Sequence, residues 1–383
     1  MGSTIDEEFF PIMAWGSAPG NPAVLGEMAD CGINVAGFVA PEHLDAVYKA
    51  GLKAFVMDYR ASGYDFENVD PNVVKANVNG LVKEVGLHPA LYGYYLKDEP
   101  NMREYPGLAI VSDAFLEKSP DKIPYINLFP NYASQNQLGA ENYWNYVEGF
   151  INEVNPPMIS YDHYALMEDE PLRDGYYTNL EAIRWGSVKY KRPFWNVVLT
   201  AAHFKYREPS FADIRFQVWT TLAYGGKGIS YFTYFAPGFG NCRMAPIDQY
   251  GNRTPTWSYL QNTNLAVKML APILLKLRSI GVYHIGDVPS GCLALPGNTL
   301  VRTIFGNGNF LVGEFMDSDG TSYVMVVNKD FRSSVNFRVE LNEPSSHIRR
   351  ISSYSGHPEE LVDDGDWLAP GQGVLLQVMS KGI

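Results

Sequence analysis

Cysteine is scarce in this 383-residue sequence, with three in all. Cys31, Cys242 and Cys292 lie far apart and form no CxxC pair or zinc spacing, which argues against a disulfide framework and a structural zinc site. A single disulfide among the three stays open. Long apolar runs are also missing. No stretch reaches the roughly 18 residues of a spanning helix, so no membrane-spanning segment is expected. Positive charge is in deficit: 30 Lys and Arg stand against 42 Asp and Glu, a net charge of −12. A nucleic-acid binder needs cationic surface to replace counterions, so no nucleic-acid partner is expected. The same deficit argues against docking on anionic lipid. There is no glycine-rich phosphate turn after the first apolar run. Trp15-Gly16-Ser17-Ala18-Pro19-Gly20 stands where a doubly wound dinucleotide fold would want G-x-G-x-x-G. No repeat of solenoid length and no low-complexity segment occurs.

What is present is a large apolar fraction, 46%, with 19% charged residues, which excludes extensive disorder. The length suits one large and one small domain. Residues 1–8 read as a tail, with Met1-Gly2-Ser3-Thr4 as a tag. A signal peptide removed ahead of it would leave a secreted, periplasmic or cell-surface location open.

From residue 9 to 280, short apolar runs alternate with helix-like segments. The runs are residues 11–15, 33–39, 54–59, 92–96, 125–129, 158–164, 194–199 and 229–235. Between them lie amphipathic stretches. Val74, Val78, Leu81, Val82 and Val85 fall on one helical face, as do Ala266, Met269, Leu270, Ile273, Leu274 and Leu277. Gly32, Gly51 and Gly86 stand where left-handed C-caps are expected. Eight strand–helix pairs in this length predict a (β/α)₈ TIM barrel. Runs apolar throughout suit a parallel sheet covered by helices. Residues 281–383 change rhythm. Runs at 300–305, 311–316, 323–328, 335–341, 348–354 and 374–378, divided by turns such as Asn307-Gly308-Asn309, predict a small all-β sandwich domain.

In such a barrel the chemistry sits at the C-terminal strand ends. Those ends gather polar and aromatic side chains, and the sequence holds 25 Tyr, 20 Phe and 7 Trp. Sugar rings pack their C–H faces on flat aromatic rings, so a carbohydrate substrate fits. The fourth strand runs from Tyr94-Tyr95-Leu96 into Lys97-Asp98-Glu99-Pro100. Cleavage of a glycosidic bond needs a carboxylic acid to protonate the departing oxygen. An apolar or like-charged setting keeps that acid neutral, and Asp98 beside Glu99 supplies one. Glu99 is the expected catalytic acid. For a second carboxylate the choices are Asp162, at the end of the sixth strand, then Asp58 beside Arg60, and Glu208 beside Arg207; Asp162 is preferred. Trp15, Asp58, Asp98, Tyr161, His163, Tyr164, His203 and Tyr234 are the expected substrate contacts. Asp162 and His163 are neighbours on a strand and point to opposite faces, so they are not expected to share a metal with His203. No metal and no cofactor is expected. The segment 236–259 is long for a βα loop and could cover the cleft. Glu314, in an apolar run, reads as a structural acid.

With these motifs in place, the barrel resembles the large clan of (β/α)₈ retaining glycoside hydrolases that holds many β-galactosidases and cellulases. The clan's acid/base is a Glu at the end of strand four, commonly in Asn-Glu-Pro, matched here by Asp98-Glu99-Pro100. Leu222-Ala223-Tyr224-Gly225-Gly226-Lys227-Gly228-Ile229-Ser230-Tyr231-Phe232 and Thr254-Pro255-Thr256-Trp257 resemble passages of its β-galactosidase-like members. The resemblance implies hydrolysis of O-glycosidic bonds in an oligo- or polysaccharide. It also implies a nucleophilic Glu on strand seven, and Phe194-Trp195-Asn196-Val197-Val198-Leu199-Thr200 holds no carboxylate. A barrel that binds carbohydrate without cleaving it, and a sugar-acid lyase or isomerase using Lys97, are the competing readings.

Overall fold

The computed structural model describes residues 8–170, 172–343, 346–361 and 365–380. The expected tail therefore lies outside the described residues except for Glu8. Eight parallel strands close into a barrel: β1 (Ile12–Ala14), β2 (Val35–Val39), β3 (Lys53–Val56), β4 (Leu91–Asp98), β5 (Ile123–Leu128), β6 (Ile159–Asp162), β7 (Phe194–Leu199) and β8 (Gly228–Phe232). β8 pairs back onto β1, with Ile12 opposite Ile229. The main covering helices are Pro22–Asp30, Leu44–Lys49, Pro71–Val85, Tyr105–Lys118, Tyr143–Val154, Tyr176–Tyr190, Phe211–Ala223 and Pro255–Leu274.

Local chemistry sets these helices. Asp70 accepts the Asn72 amide and Pro71 occupies the first turn, where a missing N–H costs nothing. Val74, Val78, Leu81 and Val85 of that helix then fall on its buried face. Gly32 and Gly51 adopt the left-handed conformation expected of C-caps, with φ of 82° and 72°. Gly86 does not. It stays right-handed at φ −58° and donates to the Val82 carbonyl, so the helix trails off in a further turn.

The barrel interior is filled with aromatic side chains. Trp195 is fully buried and stacks on Tyr92 at 6.0 Å between ring centroids, with Phe55 and Tyr125 packed beside it. Above them Trp15 packs on Phe38, Tyr95 and Tyr125. β2 reaches this arrangement through a register shift between Val35 and Phe38, where Gly37 takes φ 84°. A Cβ at Gly37 would lie 2.1 Å from the Ala14 carbonyl oxygen and 2.6 Å from that of Gly16. Gly37→Ala is therefore expected to destabilise the fold by about 2–4 kcal/mol, read as a fall in the urea midpoint. An unchanged midpoint would show that β1 and β2 separate without cost.

Among the described residues nine further strands follow: β9 (Arg278–Ile285), β10 (Val301–Phe305), β11 (Phe310–Met316), β12 (Ser322–Asn328), β13 (Val335–Leu341), β14 (Ser346–Ile351), β15 (Pro358–Glu360), β16 (Gly365–Leu368) and β17 (Gly373–Ser380). They form an antiparallel sheet in the order β15-β14-β17-β12-β11-β9 and a smaller one, β10-β13-β16. Val301, Phe310, Val312, Val324, Val326, Phe337 and Leu376 form the core between the two sheets. The alternate residues Leu311, Phe315, Met325, Val327 and Leu375 join the core of the barrel. Helix Phe211–Ala223 lies at that junction, and most of its residues are buried for that reason. β9 begins at Arg278, within the stretch expected to complete the barrel; the last helix stops at Leu274 and leaves Leu277 outside it. Glu314 is buried and accepts the Val301 amide at 2.8 Å, a tie between the two sheets.

Candidate active site

The site begins with a bulge in β4. Tyr94 and Leu96 face the helix layer, where Tyr94 stacks on Phe115, while Tyr95 packs on Trp15 and Phe38 in the lumen. Strict alternation would send Lys97 inward next. The β4–β5 register shifts between Tyr95 and Lys97 instead, and such a shift re-aims the side chains that follow. Lys97 pairs with Glu104 at 2.8 Å, and Asp98 takes the inward position. Glu99 follows with φ 46° and donates its amide to the Asn127 carbonyl at 2.8 Å. A left-handed glutamate at a strand end is a strained conformation of the kind concentrated at functional sites.

Asn127, on β5, organises the cluster. Its side-chain amide donates to Asp98 Oδ1 at 3.2 Å and to Asp162 Oδ1 at 2.7 Å. Its own Oδ1 accepts the Ser160 hydroxyl at 2.8 Å, and that hydroxyl also meets Tyr125 Oη at 2.8 Å. Asp162 is 4% exposed. Burial first, then the charges of Glu99 and Asp98, hold its carboxyl well above the usual range. Burial first, and then Asp98, push Glu99 up to about 7. Asp98 touches solvent, yet protein walls it closely enough to push it up to about 6, against the Asn127 hydrogen bond that lowers it. Three carboxyls thus share one end of the barrel with a proton available near neutrality.

Of the other expected residues, Tyr164 belongs to this cluster: burial raises its phenol, and Asp162, Asp98 and Glu99 all add to that. His203 packs on Tyr164 and Phe232, with Nδ1 against the Ala201 carbonyl at 2.9 Å. Burial lowers its pKa, so it is neutral there. Trp15 lines the lumen next to Tyr95.

The remaining expected contacts do not join them. Asp58 caps the turn Tyr59–Ser62 and grips Arg60 at 2.8 Å, and Arg60 continues to Glu84. Tyr161 faces outward against Phe194. His163 is 1% exposed, wedged between Tyr132 and Tyr176, and burial drops it to about 3. Tyr234 is buried and accepts the Trp257 indole N–H at 3.0 Å. None of the four stands with the carboxyl cluster: strand alternation turns Tyr161 and His163 toward the helix layer, and ion pairing or burial engages the other two. Glu208 is held by Arg243 at 3.1 Å.

Sequence reasoning missed Asn127, Tyr132, Tyr206 and Arg173. Asn127 was signalled by a polar residue two positions after Tyr125, on the same inward face. Arg173 lies 4.1 Å from the Tyr132 ring and donates to the Tyr206 hydroxyl at 3.3 Å. Tyr132, Tyr206 and Arg173 come from separate loops; Tyr132 stands at the end of the fifth strand, where aromatic residues were expected, while Tyr206 and Arg173 had no sequence signature. Tyr132, Phe204 and Phe239 are exposed, and the last two stack at 6.3 Å. Among the described residues no three His, Cys, Asp or Glu side chains group as a metal site requires. A cavity of about 690 Å³ lies between residues 167–170 and the β-module, but its Asp213 is tied to Arg207 at 2.6 Å.

No family model matches the sequence, and no curated protein matches it. The fold is similar to a glycoside hydrolase family 5 structure from Bacteroides vulgatus, at 12% identity and TM-score 0.61 over 97% of this chain and 89% of that one. A second structure, described as a glycoside hydrolase, gives 11% identity and TM-score 0.60 over 97% and 93%. A β-galactosidase from the psychrophilic Marinomonas ef1 gives 12% identity and TM-score 0.54; 71% of this chain spans 62% of that protein's length. At these identities the likeness is one of fold.

Proposed function

We propose that the protein is a glycoside hydrolase in which Glu99 is the general acid/base. The observation that carries this is the carboxyl cluster at the barrel mouth, with Glu99 pushed up to about 7. A general acid works best with a pKa near the working pH. The fold neighbours described as glycoside hydrolases and a β-galactosidase add support. Asp162 is too buried to attack an anomeric carbon; we assign it to orienting Asn127, whose amide it accepts at 2.7 Å. Tyr164 lies beside Asp162 and packs on His203, and the exposed Tyr132, Phe204 and Phe239 offer flat apolar faces for further sugar units.

A screen of aryl glycosides and oligosaccharides tests this. Glu99 must carry its proton, so cleavage should fall as pH rises through about 7. Asp98 is most useful charged, so cleavage should also fall as pH drops through about 6. A narrow bell between those limbs is the expected kcat/KM profile. A flat profile from pH 5 to 9 would remove Glu99 from the reaction.

A second reading keeps the carbohydrate and drops the cleavage. It rests on β7, which ends at Leu199 and Thr200 without a carboxylate; the Thr200 hydroxyl donates to the Thr233 carbonyl at 3.1 Å. Calorimetric binding of oligosaccharides with no turnover across the screen would favour it.

A further inference from the structure

The available carboxyls lie on one arc of the barrel mouth. Asp98 and Glu99 end β4, and Asp162 ends β6. Across from them, β7 is continued by Thr200, Ala201, Ala202 and His203, β8 by Thr233, Tyr234 and Phe235, and β1 by Trp15, Gly16 and Ser17. The acids further along those loops are engaged: Glu208 pairs with Arg243, and Asp248 accepts the amides of Tyr250 and Asn252. Displacement at an anomeric carbon requires a group on the face opposite the departing oxygen. With Glu99 serving the departing oxygen, no free carboxylate stands there among the described residues. His203 is neutral and its Nδ1 is held by the Ala201 carbonyl.

We propose that the missing nucleophile comes from the substrate: the sugar unit seated at Asp98 and Glu99 carries a 2-acetamido group, and the protein acts on 2-acetamido-2-deoxy-β-glycosides. This rests on the glycosidase reading and names its substrate class. The departing oxygen and the acetamido nitrogen are substituents of adjacent ring carbons, so two consecutive side chains can serve them. Glu99 faces the first and Asp98 the second. Asp98 is accessible, as a substrate contact must be, and the Asn127 hydrogen bond favours its charged form. Beside it Tyr95, Trp15 and Phe38 form an apolar wall suited to the acetyl methyl.

In the first step the acetamido oxygen bonds to the anomeric carbon. The glycosidic C–O bond breaks and the Glu99 proton passes to the departing oxygen. Asp98 accepts the amide proton, leaving a neutral oxazoline. In the second step water bonds to the anomeric carbon and gives its proton to the Glu99 carboxylate. The bond to the acyl oxygen breaks and Asp98 returns the proton to nitrogen. The configuration is retained and no further reactant is consumed.

The test compares matched aryl 2-acetamido-2-deoxy-β-glycosides with their 2-hydroxy counterparts in the gluco and galacto series, using the full chain. kcat/KM should favour the acetamido member of the reactive pair by at least about 10²-fold, because only it brings its own nucleophile into place. Replacing acetyl by trifluoroacetyl should lower kcat by about tenfold or more, since the attacking oxygen is weakened. A thiazoline mimic of the oxazoline should inhibit competitively, which needs no variant. Asp98→Asn should lower kcat by about 10²-fold on the acetamido substrate. Equal or faster cleavage of the 2-hydroxy glycosides, with no thiazoline inhibition, would overturn the substrate class and leave the glycosidase reading standing. No cleavage of any glycoside would overturn both.

Discussion

Glu99→Gln is expected to lower kcat by about 10²–10⁴-fold on any glycoside the wild type cleaves, the range for removing a general acid. The amide keeps the shape of the side chain and cannot give up a proton to a departing oxygen. Stability should move the other way. In the unfolded chain a glutamate ionises around its ordinary 4.5, whereas folded Glu99 keeps its proton up to about 7. The folded state therefore binds more protons between those values, and wild-type stability falls as pH rises through that window. Glutamine carries no such cost. The variant should match the wild type near pH 4.5 and melt higher at pH 8. Each pH unit of the window is worth about 1.4 kcal/mol; partial exposure discounts this to a gain of roughly 1–2 kcal/mol. Calorimetry at the two pH values, alongside a turnover assay, reads both effects. Retained activity would sink the assignment. A lower melting point at pH 8 would show that the carboxylate is instead stabilised by a partner.

That pairing of lost activity with gained stability separates a strained functional group from a structural one. Asp58 supplies the contrast. Its carboxyl lies below the usual range because Arg60 hydrogen-bonds it, and it caps a helical turn. Neutralising Asp58 removes a favourable interaction, whereas neutralising Glu99 removes an unfavourable one.

The barrel was legible because its strands are continuous apolar runs and its helices carry apolar stripes; both periods survive in the sequence. The place of Glu99 at the barrel mouth was legible because it follows the fourth strand directly. Several other features were not. β9 begins four residues after the last helix, with its alternation hidden behind Leu274 and Leu277. β15 is Pro358-Glu359-Glu360, a polar edge strand joined to β14 partly by Arg349–Glu360 and Arg350–Glu359 pairs, so it carries no apolar signal. The β4 bulge is a matter of backbone register, and without it alternation gives the inward place to Lys97. His163 and Tyr161 show the converse limit of strand-end reasoning. A sequence places them at the mouth, but only side-chain direction tells that they face the helices.

Asn127→Leu should have the second large effect, and on two observables at once. Asn127 is 2% exposed and its side chain is the shared donor to Asp98 and Asp162 and the acceptor for Ser160. Leucine fills much of the same volume but leaves Asp162 buried without that donor and the Ser160 hydroxyl without that acceptor. Each abandoned buried polar group costs about 1–3 kcal/mol, so a loss of roughly 2–4 kcal/mol is expected in denaturant unfolding. The chemistry should shift as well. The Asn127 hydrogen bond lowers the pKa of both aspartates, so its removal raises them. A more protonated Asp98 moves the acidic limb of the kcat/KM profile from about 6 to higher pH and narrows the active window. Ser160→Ala abandons Asn127 Oδ1 and the Tyr125 hydroxyl, so it should cost a comparable roughly 2–4 kcal/mol, yet leave that limb nearly in place, since it touches neither carboxylate directly. A destabilised Asn127→Leu with an unmoved acidic limb would mean that Asn127 only supports the fold. An upward shift of the limb would mean that the same amide that holds β4, β5 and β6 together also sets the charge of the carboxyl cluster.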